Sequence, residues 1–241
     1  MTQPLSGKIA LVTGASRGIG RATALKLAKA GAHVVALART VGGLEELDDE
    51  IQKIGGSATL VPLDIKDFAA LDRLGASLFD RFKKLDVLVG NAGQLGTLSP
   101  LGHIDPKTWD DVIAVNVTAN WRLIRSLDLL LKSSEAGRAV FITSGVARNV
   151  RAYWGLYAAS KAALEVIVRA YAGELARTNV KVNLFNPGPI RTRMRAKAMP
   201  GEDPMTLDTP EQAAEALLPL CLPSCTESGR IYDYKTKKFL D

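Results

Sequence analysis

The sequence predicts an α/β fold of the Rossmann type, doubly wound, with a seven-stranded parallel sheet flanked by helices on both faces. Three observations predict it. Seven short, mostly apolar runs, "KIALVT", "HVVALA", "ATLVPL", "LDVLVG", "RAVFIT", "VKVNLF" and "GRIYDY", alternate with longer stretches of helical length. Runs this short and this rich in Val and Ile suit strands covered on both faces, and such strands are usually parallel. A glycine-rich loop, "TGASRGIG" at 13–20, follows the first run directly and opens the first helical stretch, the position at which a dinucleotide-binding fold places its phosphate loop.

The helices follow in order. The first, over 18–30, has Ile19, Ala22, Leu25 and Leu27 as its apolar stripe and Gly31 as its stop. A second, over 43–54, is acidic and solvent-facing. A third, over 106–132, opens on Pro106, which suits a first helical turn, and ends through "LIRSLDLLLK". The longest, over 157–178, carries apolar residues almost all round between Lys161 and Gly173, so it needs a second cover besides the sheet. That cover is a neighbouring helix of the same chain or a second copy of it. The segment 187–210, "PGPIRTRMRAKAMPGEDPMTLDTP", is irregular and rich in Pro, Gly and Met, and reads as a substrate-binding lid loop. No internal repeat or linker divides the chain, so residues 1–241 read as a single dinucleotide-binding and catalytic domain.

Composition narrows the class. A chain of 241 residues with 47% hydrophobic content can bury a full-sized core. No apolar run reaches the roughly 20 residues that span a bilayer, and the start resembles no signal peptide, so no membrane partner is expected. Cys221 and Cys225 are too few for a disulfide framework and lack the partners of a zinc site. They read as free thiols in a reducing compartment, which implies a cytoplasmic protein without a bound metal. The net charge of +6 is spread along the chain, with clusters only at "RTRMRAK", 191–197, and "KTKK", 235–238. No nucleic-acid-binding signature accompanies them, so no nucleic-acid partner is expected.

Each missing side chain in the loop has a chemical reason. Gly14, Gly18 and Gly20 allow the turn, the close approach of backbone to a pyrophosphate and tight packing of helix on sheet. The second strand ends "VVALART", with Ala38 where an NAD site would place a carboxylate and Arg39 next to it. A guidanium there matches a 2′-phosphate rather than a bare ribose, and Arg17 offers a second cation. NADP(H) is therefore the expected cofactor.

With the loop in place, the remaining motifs follow in an order that resembles the short-chain dehydrogenase/reductase superfamily over essentially the whole chain. They are Asp64 after the third strand, "NAG" at 91–93, Asn116 in "VNV", Ser144, "YAASK" at 157–161 and "NPGPIRT" at 186–192. The stretches "LLLKSSEAG" and "RAYWGLYAASK" are most similar to a bacterial branch labelled 3-oxoacyl-(acyl-carrier-protein) reductase. The resemblance implies that Tyr157 is the general acid/base and that Ser144 holds the substrate oxygen. It implies that Lys161 binds the nicotinamide ribose and lowers the tyrosine pKa, and that Asn116 holds a water of the proton relay. It gives Gly14, Ser16, Arg17, Gly18, Ile19 and Gly20 to the cofactor phosphates, and Asp64 and Ile65 to the adenine. Asn91, Ala92 and Gly93 would line the cofactor, and Pro187, Gly188, Ile190 and Thr192 the nicotinamide end. Gly90 departs from the pattern where many relatives carry asparagine, and Leu129 stands where carrier-docking relatives carry arginine. The ending "GRIYDYKTKKFLD" lacks a terminus common in tetramers, so a homodimer through the two long helices is expected, with a tetramer left open.

The pairing of Tyr157 with Lys161 has a physical logic of its own. Four residues on a helix are a rise of about 6 Å and a turn of about 40° past one revolution, so both side chains share a face. A phenol with a reference pKa near 10 is a poor base at neutrality, and a nearby ammonium favours its anion. Substrate contacts are expected from Gln94, Ser144, Trp154 and Tyr157, joined by Leu95, Val146, Arg151, Pro189, Met194 and Met199. The expected function is hydride transfer between a nicotinamide and a carbonyl or secondary alcohol. A 3-oxoacyl thioester and a small ketone or aldehyde are the substrate classes; the alternative is an NADP(H)-binding sensor or scaffold without efficient turnover.

Overall fold

In this computed structural model, which describes residues 3–240, eight strands form one sheet in the order β3-β2-β1-β4-β5-β6-β7-β8. The first seven are parallel: β1 Ile9–Thr13, β2 His33–Ala38, β3 Ser57–Pro62, β4 Val87–Gly90, β5 Arg138–Ile142, β6 Lys181–Asn186 and β7 Ile231–Asp233. The eighth, β8 Lys238–Leu240, pairs antiparallel with β7 and corrects the expected count of seven. A tight turn makes it. Thr236 donates both its N–H and its hydroxyl to Asp233 Oδ1, each at 2.9 Å, and Lys237 takes a φ of 54°. Phe239 then meets Tyr232 edge-on at 5.3 Å, and Lys238 leaves a charge on the free edge, where it discourages further strand pairing.

Helices α1 Gly18–Lys29, α2 Val41–Lys53 and α8 Pro210–Cys221 cover one face of the sheet, and α3 Phe68–Phe82, α5 Ala119–Lys132 and α6 Gly155–Glu174 the other. Alternation along the strands feeds both cores: in β5, Phe141 joins the α3/α5/α6 side and Val140 the α1/α2/α8 side. α2 keeps its acidic residues outward but buries Leu44, Leu47 and Ile51, so it is amphipathic rather than wholly solvent-facing. α3 starts on Asp67, whose carboxylate accepts from the Ala70 N–H, and ends on Lys83 in the left-handed region, φ 65°. α8 begins with a full capping box between Thr209 and Gln212.

Two helices differ in detail from their sequence outline. The stretch 106–132 divides into α4 Pro106–Ile113, a π-helical turn Ala114–Thr118 and α5. α6 starts two residues earlier than expected and stops at Glu174, where the Ala176 N–H turns back to the Gly173 carbonyl and Thr178 Oγ1 donates to that of Leu175. The 187–210 segment is less irregular than expected, holding α7 Arg193–Ala198 and a short 3-10 turn at Pro204–Thr206. An Ile190↔Asp208 bridge ties its two ends together.

The order of strands places the site. β1, β4, β5 and β6 are adjacent and parallel, so the loops after Thr13, Gly90, Ile142 and Asn186 emerge on one edge of the sheet. The strand order reverses between β1 and β4, and ligands of open α/β sheets bind in the crevice beyond the carboxyl ends at such a reversal.

Candidate active site

Thr13, the last residue of β1, anchors the floor. Its buried hydroxyl accepts the Asn91 and Ala92 N–H groups, each at 3.0 Å, and donates to the Val89 carbonyl at 3.4 Å. Asn91 Nδ2 in turn donates to the carbonyls of Thr13, 2.9 Å, and Gly14, 3.4 Å. This lacing explains Gly20: a Cβ there would sit 2.3 Å from Asn91 Nδ2 and 2.4 Å from the Gly14 carbonyl oxygen. Gly14 and Gly18 take φ of +66° and +57° around the exposed Arg17, with Ser16 and Ile19 half-buried beside them. α1 opens with no side-chain cap and no acidic residue in its first turn. Its N-terminal N–H groups and partial positive charge are therefore presented to an anion.

Arg39 is exposed and sits 3.6 Å from the Asp64 carboxylate, while Ile65 is buried below. The two residues assigned to opposite ends of an adenosine moiety thus lie side by side. Between two such exposed groups an ion pair adds little to stability.

On the other flank, Asn116 lies in the π turn and is fully buried. Its side chain accepts the Gln94 N–H at 2.8 Å and donates to the Gln94 carbonyl and the Ser160 hydroxyl, both at 2.9 Å. Asn120 Nδ2 donates to the Asn116 carbonyl at 2.9 Å. A π turn re-aims one residue within a helix, here directing Asn116 at the 91–95 loop.

α6 brings in the phenol and the ammonium. Tyr157 is buried and packs edge-on against Trp154 at 6.2 Å. Trp154 precedes α6 as its N-cap and follows Tyr153, which holds a φ of 72°. Burial pushes the Tyr157 hydroxyl up to about 12, partly opposed by Ser144. Lys161 lies on the same face, its Nζ 5.9 Å from the Tyr157 ring centroid and donating to the Ile142 carbonyl at 2.8 Å. Burial pulls it down to about 8, with the Glu165 carboxylate opposing. The expected depression of the tyrosine by the ammonium is not seen here: desolvation sets the direction and only Ser144 opposes it. A Cβ on Gly93 would fall 3.5 Å from Asn116 Oδ1 and 3.6 Å from Lys161 Nζ, so the missing side chain keeps a space open between loop and ammonium.

The fourth loop is braced from β7. Asn186 Nδ2 donates to Asp233 Oδ2 at 2.7 Å, and its Oδ1 accepts the Gly188 N–H at 3.3 Å. Pro187 and Ile190 are buried, Gly188 and Pro189 exposed, and Thr192 caps α7 through the Arg195 N–H. Arg195 then grips Glu202 through two hydrogen bonds of 2.5 and 2.6 Å, and Arg191 donates to the Leu207 carbonyl at 3.1 Å. Of the basic cluster, Arg193 and Lys197 are exposed. A cavity of about 230 Å³ inside the segment is lined by Thr192, Arg195, Met199, Pro204 and Leu207 among others. Tyr157 and Ser144 do not line it. Met194 is exposed, Leu95 buried, Val146 half-buried, and Arg151 exposed at the mouth of the 144–154 loop.

The structure therefore gathers Ser144, Tyr157, Lys161 and Asn116 beside the glycine loop. It also shows supporting roles for four residues to which the sequence assigned none, namely Thr13, Thr143, Ser160 and Glu165. A hydroxyl at a strand end and a carboxylate inside an apolar helix were the available signals. Cys221 and Cys225 are both free thiols away from this edge. Among the described residues no cluster of His, Cys, Asp and Glu could hold a metal, and no helix is long and apolar enough to cross a membrane.

A glycine-loop crevice with Ser, Tyr and Lys at the edge of a doubly wound sheet defines a dinucleotide-dependent dehydrogenase. The short chain dehydrogenase family model matches residues 8–203, and the chain belongs to that family. It is 40% identical over 209 residues to the uncharacterised oxidoreductase YciK of Escherichia coli K12, covering 86% of this chain and 82% of that one. Among solved structures, a short chain dehydrogenase of Shigella flexneri 2a in complex with NADP matches with a TM-score of 0.93 and 37% identity, over 98% of this chain and 100% of that one. One of Escherichia coli CFT073 in complex with NADPH matches at 0.89 and 38%, with the same coverage.

Proposed function

We propose that the protein is an NADP(H)-dependent oxidoreductase acting on a carbonyl or secondary alcohol, with Tyr157 as general acid/base. The observation that carries this is the buried Tyr157 phenol, acted on by Ser144, with the Lys161 ammonium 5.9 Å from its ring one helical turn away. The residues fit a nicotinamide dinucleotide: an uncapped helix N-terminus for the pyrophosphate, two exposed arginines for a 2′-phosphate, and an open space at Gly93 beside Lys161. When bound, the nicotinamide supplies or takes the hydride. The protein does the rest. Ser144 orients the substrate oxygen, Tyr157 gives it a proton in reduction or removes one in oxidation, and Lys161 holds the ribose and stabilises the developing phenolate. Burial near the acid/base excludes water from the exchange. Turnover of NADPH with ketones, aldehydes and 3-oxoacyl thioesters tests the reading, and the best member of the panel names the substrate class.

NADP(H) preference rests on Arg39 and Arg17, and on the NADP and NADPH found in related structures. Arg39→Ala is expected to weaken NADPH binding roughly tenfold or more, the worth of a charge-assisted hydrogen bond to phosphate, and to leave NADH nearly unchanged. Equal losses for both nucleotides in titration would remove Arg39 from the 2′-phosphate.

We also propose a homodimer. Trp121 and Leu129 on α5 are 45% and 76% exposed and Val166 on α6 is 69% exposed; these helices are the ones that need a second cover. Leu129→Glu is expected to halve the mass seen by light scattering. An unchanged mass would place the interface elsewhere.

A further inference from the structure

Three consecutive residues at the end of β5 each face a different residue of α6. The Ile142 carbonyl accepts from Lys161 Nζ at 2.8 Å, the Thr143 hydroxyl donates to Glu165 Oε1 at 2.6 Å, and Ser144 acts on the Tyr157 phenol. The first and third of these contacts belong to the site already described. The second does not, and it concerns a carboxylate only 7% exposed in the apolar face of α6, with no cation within ion-pair distance among the described residues. A buried carboxylate with a single hydroxyl donor is costly unless a nearby charge or dipole repays it. Lys161 is one helical turn from it, on the same face.

We propose that Glu165 is a positioning residue: its carboxylate, fixed to the strand by Thr143, keeps Lys161 cationic in a buried site and locks the Ser144 strand end to the Tyr157 helix. The charges around Lys161 bear this out. On α6 itself Tyr157 and Glu165 face it. The β5 end, the π turn and the 91–94 loop carry no ionisable side chain. β6 contributes Asn183 and Asn186, its one charge, Lys181, lying opposite Arg138 at the far end of the sheet. α4 carries Lys107, Asp110 and Asp111, and Asp111 is taken by Lys66 at 2.7 Å. On α5, Asp128 accepts from Tyr171, more than two turns further along α6. Burial favours the neutral form of Lys161, and Glu165 is the charge that opposes it.

This inference rests on the reading of Lys161 as the residue that holds the nicotinamide ribose and assists Tyr157, but its test needs neither nucleotide nor turnover. Lysine labelled with ¹³C at Cε is titrated by NMR in the protein alone, with Lys161→Met assigning the signal. The wild-type midpoint is expected near 8. In Glu165→Gln, which keeps shape and hydrogen bonding and removes the charge, it is expected to fall by about one pH unit or more, as loss of a unit charge within one turn requires. Thr143→Val, which leaves Glu165 in place but frees it from the strand, is expected to move the midpoint the same way by less, and serves if the glutamine variant does not fold. An unmoved Lys161 midpoint in the folded variants would overturn the proposal, since loss of stability alone would follow from a merely structural carboxylate. The alkaline fall-off of NADPH binding is expected to shift in parallel. A shifted midpoint with an unshifted fall-off would uphold the Glu165 link and remove Lys161 from the cofactor.

Discussion

Tyr157→Phe is expected to keep its fold and its NADPH affinity and to lose about 10²- to 10⁴-fold in kcat, the usual worth of a positioned acid/base. The substitution removes one oxygen. The ring still packs edge-on against Trp154 and beside Lys161, so stability should change by no more than about 1 kcal/mol, the net value of one hydrogen bond. The loss should fall on kcat rather than KM, because the missing proton matters only as the substrate oxygen gains or loses charge. The hydroxyl held near 12 by burial is protonated at neutral pH, the form needed to reduce a carbonyl. Single-turnover and steady-state rates of the variant check this; turnover equal to wild type would remove Tyr157 from the chemistry.

The second large effect is on stability. Gly75 in α3 is expected to be intolerant of even one methyl group. Its N–H donates to Ser126 Oγ at 2.9 Å, and a Cβ on it would lie 2.0 Å from the Ser126 carbonyl oxygen of α5. Backbone cannot yield as a side-chain tip can, so α3 and α5 must part. Overpacking of this kind costs about 1–3 kcal/mol and sometimes more, the upper end applying here. Gly75→Ala should therefore lower the midpoint of thermal or urea unfolding clearly, whereas Gly42→Ala, whose Cβ would meet nothing within 4 Å, should not. Similar midpoints for the two variants would show that the helices are less tightly joined. Because α5 continues from the turn that holds Asn116, the Gly75 variant should also lose activity in proportion to its loss of folded protein.

The parts of this architecture legible in the sequence are those in which a single residue type answers a local demand. The glycine loop, the Tyr157–Lys161 spacing and the seven apolar runs are of this kind, and each run becomes a parallel strand within one or two residues of its expected bounds. What escaped depends on partners distant in the chain or on the placement of single residues. Helical periodicity over 106–132 is nearly the same with or without one wider turn, so the π segment at Asn116 left no mark. β8 is three residues long and exists because Asp233 and Thr236 fold the chain back. Thr143 and Glu165 are 22 residues apart and meet only when β5 and α6 pack. Within the basic cluster at 191–197, Arg195 is consumed by Glu202 and Arg191 by a carbonyl of the same segment, pairings that appear only once the segment folds. The pKa of Tyr157 was the subtlest case: spacing predicts attraction from Lys161, while desolvation, visible only in the packed structure, dominates.

The most direct test of the central claim is NADPH oxidation by the purified protein against ketones, aldehydes and 3-oxoacyl thioesters, with NADH and Tyr157→Phe run alongside. The account predicts oxidation of NADPH in step with formation of the alcohol from at least one member, faster than with NADH and lost in the variant. Tight NADPH binding with no oxidation by any member, wild type and variant alike, would contradict it and point to a nucleotide sensor built on the same fold.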